Sequence, residues 1–240
     1  MLSALRSAFG FLTVIGKRGS LPTNRTSWFF PIVGLVVGGT VGLVRWGAGN
    51  VWSPLVAGVL AVTADLALTG MLHLDGLADS ADGLLPHMDR DRRLTVMRTP
   101  DVGAFGLGVC VVVLLLRVAT LAELDLHGWR VVAACAAIWC AARSMMAVAM
   151  AVIPNARVGS LADVFGRSRV GAWGLAPAVA LATWSLGAAR GLATMAVVVI
   201  CAAAVGALAK RRVGGITGDT LGAQTLFAET IALLSAAARP

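Results

Sequence analysis

The 240-residue sequence predicts an all-α, polytopic integral membrane bundle of about six to seven transmembrane helices, and three observations carry that prediction. Hydrophobic residues make up 58% of the chain and charged ones only 13%, with a mean hydropathy of +0.84, whereas a soluble domain carries roughly 25% charged residues. Apolar runs of about 20 residues, each able to cross a ~30 Å hydrocarbon core as a helix, recur along the whole chain. They are rich in Ala, Leu, Val and Gly and lack the alternation of a membrane barrel. Basic residues, counted connection by connection from the N-terminus, number 4, 1, 4, 1, 3, 1, 3 and 1, with Arg117 and Arg143 left inside spans. By the positive-inside rule this alternation makes the N-terminus cytoplasmic. No soluble domain fits between the runs, so residues 1–240 read as one domain.

Residues 1–27 form an N-terminal segment. Leu2, Leu5, Phe9 and Leu12 follow helical spacing against Ser3, Arg6 and Ser7, which suits an interfacial amphipathic helix or an extra packed helix, and no signal-peptide cleavage site follows. Lys17, Arg18 and Arg25 make a basic connection. A first span over Trp28–Trp46 has an indole at each end, and Gly34, Gly38 and Gly42 form a small-residue stripe for close helix packing. That stripe serves helices of one chain or of two, so an oligomer is open. The second span, Val51–Leu74, runs straight into an acidic cluster. Residues 75–102 then form the longest polar connection. Further spans are expected over Gly103–Ala122, Val131–Ile153, Ala172–Ala189 and Leu192–Ala209. A last apolar segment, Leu221–Ala238, is interrupted by Gln224 and Glu229, and the sequence leaves open whether it spans or packs against the bundle.

Net charge is +8 and the pI about 10.9, but the basic residues sit in connections, where they serve topology and anionic membrane lipids; nucleic-acid binding is not expected. The four cysteines lie in apolar runs with no CxxC pair and no histidine at zinc spacing, and read as buried small hydrophobes.

The chemistry concentrates in His73-Leu74-Asp75-Gly76-Leu77-Ala78-Asp79-Ser80-Ala81-Asp82-Gly83. On a helix Asp75, Asp79 and Asp82 project from one face. A solvated acidic face or a favourable helix start would account for them blandly. Against that, no basic residue lies between His73 and Asp82, and a partly buried carboxylate cluster calls for a cation. Oxygen-only donors select a hard one, Mg2+ or a relative. Arg90, Arg92, Arg93 and Arg98 lie one loop away; some are topogenic, yet guanidinium forks facing metal-bound carboxylates are what phosphate chemistry uses, and Arg98 is the best candidate. Asp219, in the Gly214–Gly222 loop with Thr217, is either part of an anion or metal site or a plain helix cap. Glu229 is expected to face protein interior or a cavity, and His73 is a ligand, a proton shuttle or simply hydrogen-bonded. Of the charges inside spans, Asp65 is expected to pair with Arg143 by depth, with Arg117 snorkelling outward.

Taken together, HLDGLADxxDG, RDRRLxxMR followed by GAFG, and GGxTGDTLGA with a later Glu closely resemble the adenosylcobinamide-GDP ribazoletransferase family, also called cobalamin-5′-phosphate synthases, from Phe29-Phe30-Pro31 to Glu229. The resemblance implies a multi-pass enzyme of a prokaryotic cell membrane, with its active-site loops cytoplasmic and Mg2+ as cofactor. The 3′ hydroxyl of α-ribazole or of its 5′-phosphate would attack adenosylcobinamide-GDP, and GMP would leave. By the same resemblance Asp75, Asp79 and Asp82 would hold Mg2+, with a general base among them; Arg98, with Arg90 and His73, would contact substrate; and Thr217, Asp219 and Glu229 would complete the metal or nucleotide site. Thr99-Pro100-Asp101 departs from the family's usual triplet. Two other classes compete. A CDP-alcohol phosphotransferase also uses spaced aspartates, but this chain lacks the arginine of that motif. A cation transporter would place several carboxylates near mid-membrane, where the sequence puts only Asp65.

Overall fold

The computed structural model describes residues 1–15, 22–157, 165 and 168–238; Lys17, Arg18 and most of the 157–169 connection lie outside them. Among the described residues the chain is helical, and the sole strand-like pairing is an isolated parallel bridge between Asn155 and Ile216. The helices are α1 (Leu2–Leu12), α2 (Phe30–Gly49), α3 (Pro54–Thr69), α4 (Leu72–Leu84), α5 (Arg90–Val96), α6 (Ala104–Glu123), α7 (Trp129–Val152), α8 (Leu175–Leu186), α9 (Ala188–Val213) and α10 (Gly218–Ala237). Short 3-10 turns over Thr26–Phe29 and Arg169–Gly174 lead into α2 and α8. Four helical stretches are each long and apolar enough to cross a membrane: Thr26–Gly49, Ala104–Glu123, Trp129–Val152 and Ala188–Val213. The expected span at Ala172–Ala189 is instead a 3-10 turn followed by a 12-residue helix.

The helix α7 is the hub. Its small, apolar surface lets α2 come so close that a Cβ on Gly34, Gly38 or Gly42 would stand 2.5–2.6 Å from the α7 backbone, which is why the stripe repeats every four residues. The N-terminal helix α1 packs on the bundle through Ala4, Ala8 and Leu12, with the ring of Phe11 6.1 Å from that of Phe30.

The continuous apolar run 51–74 is not one helix. It breaks at Gly70 and Met71, whose φ values of +58° and +60° place both in the left-handed region, and α4 leaves at 89° to α3. Two helices at a right angle cannot both follow the membrane normal, and the 13 residues of α4 reach only about 20 Å. The helix α4 is therefore no span; it lies across α10, the C-terminal part of α9 and the start of α6.

The helix α10 starts with a reciprocal cap: Thr217 N–H donates to Thr220 Oγ1 (2.8 Å) and Thr220 N–H to Thr217 Oγ1 (3.2 Å). Its middle is buried between α9, α4, α7 and α6 despite Gln224, Thr225, Glu229 and Thr230. The charges it meets there revise the expected pairing. Arg117 does not snorkel: it is 1% exposed, its Nη2 donates to Asp65 (2.5 Å) and its Nη1 to Glu229 (3.2 Å). Arg143 pairs with Glu229 rather than Asp65, whose other oxygen accepts from Trp139 Nε1 (2.9 Å). Depth gave the level of these side chains but not which way each helix turns them.

Candidate active site

Three chain segments meet at one end of the bundle. The ladder helix α4 approaches α10 glycine to glycine: a Cβ on Gly76 would lie 2.8 Å from the carbonyl of Asp219, and one on Gly222 would lie 3.6 Å from Gly76 Cα. Any larger side chain at position 76 would push the helices apart. This contact brings Asp75 and Asp79 beside Asp219, so the two acidic motifs form one cluster.

Asp79 is its electrostatic centre. Burial first, then Asp219, Asp75 and Asp82, push its carboxyl up to about 6, because a charge is costly away from water and a fourth negative charge is unwelcome among three others. Asp82 has a different duty. Its Oδ2 accepts from Gly103 N–H (2.7 Å) and its Oδ1 from Gly106 N–H (2.9 Å), so it closes the first turn of α6. A Cβ at Gly103 or Gly106 would strike this carboxylate at 2.5 and 2.4 Å, which accounts for both glycines of GAFG.

Opposite the carboxylates, Arg90, Leu94, Arg98, Thr99, Ala156 and Arg157 line a cleft of about 510 Å3. Arg98 is exposed, in the turn after α5. Arg90 is largely engaged in structure: Nε donates to the carbonyl of Val213 and Nη2 to that of Ala156, both at 2.9 Å. The buried Arg93 likewise holds the carbonyls of Gly83 and Leu84 at the end of α4. Arg157, which the sequence motifs do not single out, stands within electrostatic reach of both Arg98 and Asp219. Backbone bonds between Pro154–Ala156 and Ile216 fix it there, and its Nη2 donates to Leu94 (2.5 Å).

Not every expected residue joins. Thr217 caps α10, with its hydroxyl 3.3 Å from Asp219. Glu229 lies ten residues, about 15 Å, further down α10, held by two arginines. His73 is buried against Gly222, its Nε2 without a hydrogen-bond partner among the described residues. The two deep carboxylates, Asp65 and Glu229, are each bonded to arginine, which leaves neither as a cation-transport ligand.

Comparison with known proteins decides the family. The family model described as cobalamin-5-phosphate synthase matches residues 4–237. The chain belongs to this family. It is 33% identical to the adenosylcobinamide-GDP ribazoletransferase of Bradyrhizobium diazoefficiens over 99% of this chain and 94% of that one. To the protein of the same name from Roseiflexus sp. (strain RS-1) it is 34% identical over 94% of this chain and 86% of the other. No solved structure matches. Family membership makes the chain an enzyme of cobalamin synthesis.

The donor chemistry suits the hard cation that the resemblance implies. Among the described residues no three His, Cys, Asp or Glu side chains stand as a ready-made metal cage. Mg2+ does not need one: it is ordinarily held by one or two carboxylates together with substrate phosphates and water. The raised affinity of Asp79 for a proton is the same electrostatic demand that a cation would satisfy.

Proposed function

We propose that this chain transfers the adenosylcobinamide phosphoryl group of adenosylcobinamide-GDP to α-ribazole or its 5′-phosphate, releasing GMP, with Mg2+ held by Asp79 and Asp219 together with substrate phosphate on the cytoplasmic side of a prokaryotic cell membrane. The observation that carries the reading is the meeting of the two acidic motifs at Gly76, opposite Arg98 and Arg157. One bond forms, from the acceptor's 3′ oxygen to the phosphorus that bears cobinamide, and one breaks, the phosphoanhydride to GMP.

Each residue has a task in that step. Arg98 and Arg157 hold the diphosphate from the cleft and meet the charge that grows on the departing GMP. Asp75, exposed on the ladder face, is placed to take the acceptor's proton. Asp82 does not touch substrate; by tying α4 to the first turn of α6 it keeps the ladder in register. When bound, the cation supplies charge neutralisation at the diphosphate and orientation of the attacking oxygen.

The test is GMP release by the purified protein in liposomes given adenosylcobinamide-GDP and either acceptor. Release is expected to stop with EDTA and to return with Mg2+. Absence of GMP with both acceptors would overturn the reaction, and release indifferent to EDTA would overturn the metal.

Arg157→Ala is expected to raise KM for adenosylcobinamide-GDP about 10–100-fold while leaving KM for the acceptor within about twofold, since a lost charged hydrogen bond is worth roughly 1.5–3 kcal/mol. Steady-state kinetics with each substrate varied in turn would show it.

A pH dependence also follows, with a definite sign. The folded Asp79 carboxyl holds its proton to about pH 6, above its ordinary value of 3.8, so the unfolded chain releases that proton first. Without metal, stability is therefore expected to fall as pH rises from about 4 to about 6, and Mg2+ should restore it above that window. Melting temperatures in EDTA and in Mg2+ across pH 4–8 would check this.

A further inference from the structure

The aspartates occupy one side of α4, and the other side faces a groove of about 300 Å3 with nearly no polar surface. Leu77 and Ser80 of α4, Val109 of α6, Ala204 and Leu208 of α9 and Phe227 of α10 line it. Two of its walls, α6 and α9, are membrane spans, and their neighbouring side chains Leu107, Val111, Val112 and Ile200 are exposed, so the groove lies on the lipid-facing surface.

Two further features give its occupant a chemistry. At 3.6 residues per turn, Ala204 and Leu208 share a stripe with Arg211 and Arg212, so guanidinium groups stand one turn beyond the apolar lining, in the last turn of α9. Arg212 lies near enough to the buried Arg93 for the two charges to repel, and Arg93 is committed to the carbonyls of Gly83 and Leu84. An anion at Arg212 would relieve that repulsion. Inside the groove, Ser80 Oγ is buried, its residue 4% exposed, with no hydrogen-bond partner among the described residues. It offers a donor to an ester carbonyl.

We propose that this groove is a binding site for an anionic glycerophospholipid: one acyl chain lies between α6 and α9, an ester oxygen accepts from Ser80, and the phosphate headgroup rests on Arg211 and Arg212. A plain hydrocarbon would leave Ser80 unsatisfied, and a zwitterionic lipid would gain less from the paired arginines. The site lies behind the ladder helix, so its lipid packs against the face of α4 opposite the carboxylates. It does not rest on the proposed reaction.

The experiment is native mass spectrometry of the full-length protein released from nanodiscs of phosphatidylcholine and phosphatidylglycerol in equal parts. Wild type is expected to retain phosphatidylglycerol over phosphatidylcholine. R211Q/R212Q is expected to lose that preference by about fivefold per charge removed. Ala204→Trp, which fills the groove, should lose retention of both lipids, while Leu192→Trp, exposed elsewhere on α9, should keep it. Melting temperatures in detergent confirm that each variant is folded. Equal retention of the two lipids by wild type, a preference that survives R211Q/R212Q, or retention unchanged by Ala204→Trp would overturn the proposal.

Discussion

Asp79→Asn is expected to lower GMP release by about 10²–10⁴-fold and at the same time to leave the protein as stable as wild type, or more so, at pH 7. The activity loss follows from its position: it is the carboxylate whose charge is raised in energy by burial and by Asp219, Asp75 and Asp82, and so the one a cation relieves most. Removing a metal's main ligand forfeits several kcal/mol of charge stabilisation in the transition state, and each 1.36 kcal/mol is tenfold in rate. The stability result follows from the same repulsion. Asparagine fills nearly the same volume without the charge, so the metal-free fold loses an unfavourable interaction. Kinetics and thermal unfolding of the one variant measure both, and a strongly destabilised variant would instead make Asp79 a structural residue. Most substitutions that inactivate an enzyme without touching stability do so because the residue served the reaction at the expense of the fold, and Asp79 fits that description by geometry as well as by charge.

What could be read from the residues alone depended on whether the signal was local. The all-helical character and the common face of Asp75 and Asp79 are properties of short windows, and the helices agree with them. The break at Gly70–Met71 was hidden because hydropathy continues through it; only backbone conformation marks it. The meeting of α4 and α10 was visible as two acidic motifs but not as a contact, since nothing in HLDGLAD or TGDTLGA states that Gly76 packs on Asp219 and Gly222. Arg157 escaped notice for the same reason. Its only distinction is a bridge between Asn155 and Ile216, 61 residues apart in sequence, which turns an ordinary loop arginine toward Asp219. Glu229 shows the converse, a residue recognisable by motif whose surroundings give it a different duty.

Glu229→Gln is expected to cost about 3–5 kcal/mol of stability, more than any surface change in this chain, because it leaves the buried Arg143 without its carboxylate and Arg117 with Asp65 alone. These four charges join α3, α6, α7 and α10, and Arg117 is further held over the Trp139 ring at 4.9 Å. Charge balance, rather than any single bond, is what the site needs. The double variant Arg143→Met with Glu229→Leu removes one charge of each sign and keeps the Asp65–Arg117 pair, so it should recover much of what Glu229→Gln loses. Thermal unfolding in detergent of the two variants beside wild type measures the difference. Activity separates this role from substrate contact. Because Glu229 sits about 15 Å along α10 from Asp219, folded Glu229→Gln should bind both substrates with unchanged KM. A variant that keeps its melting temperature but loses its affinity for adenosylcobinamide-GDP would return Glu229 to the active site, and would mean that the buried network opens when substrate binds.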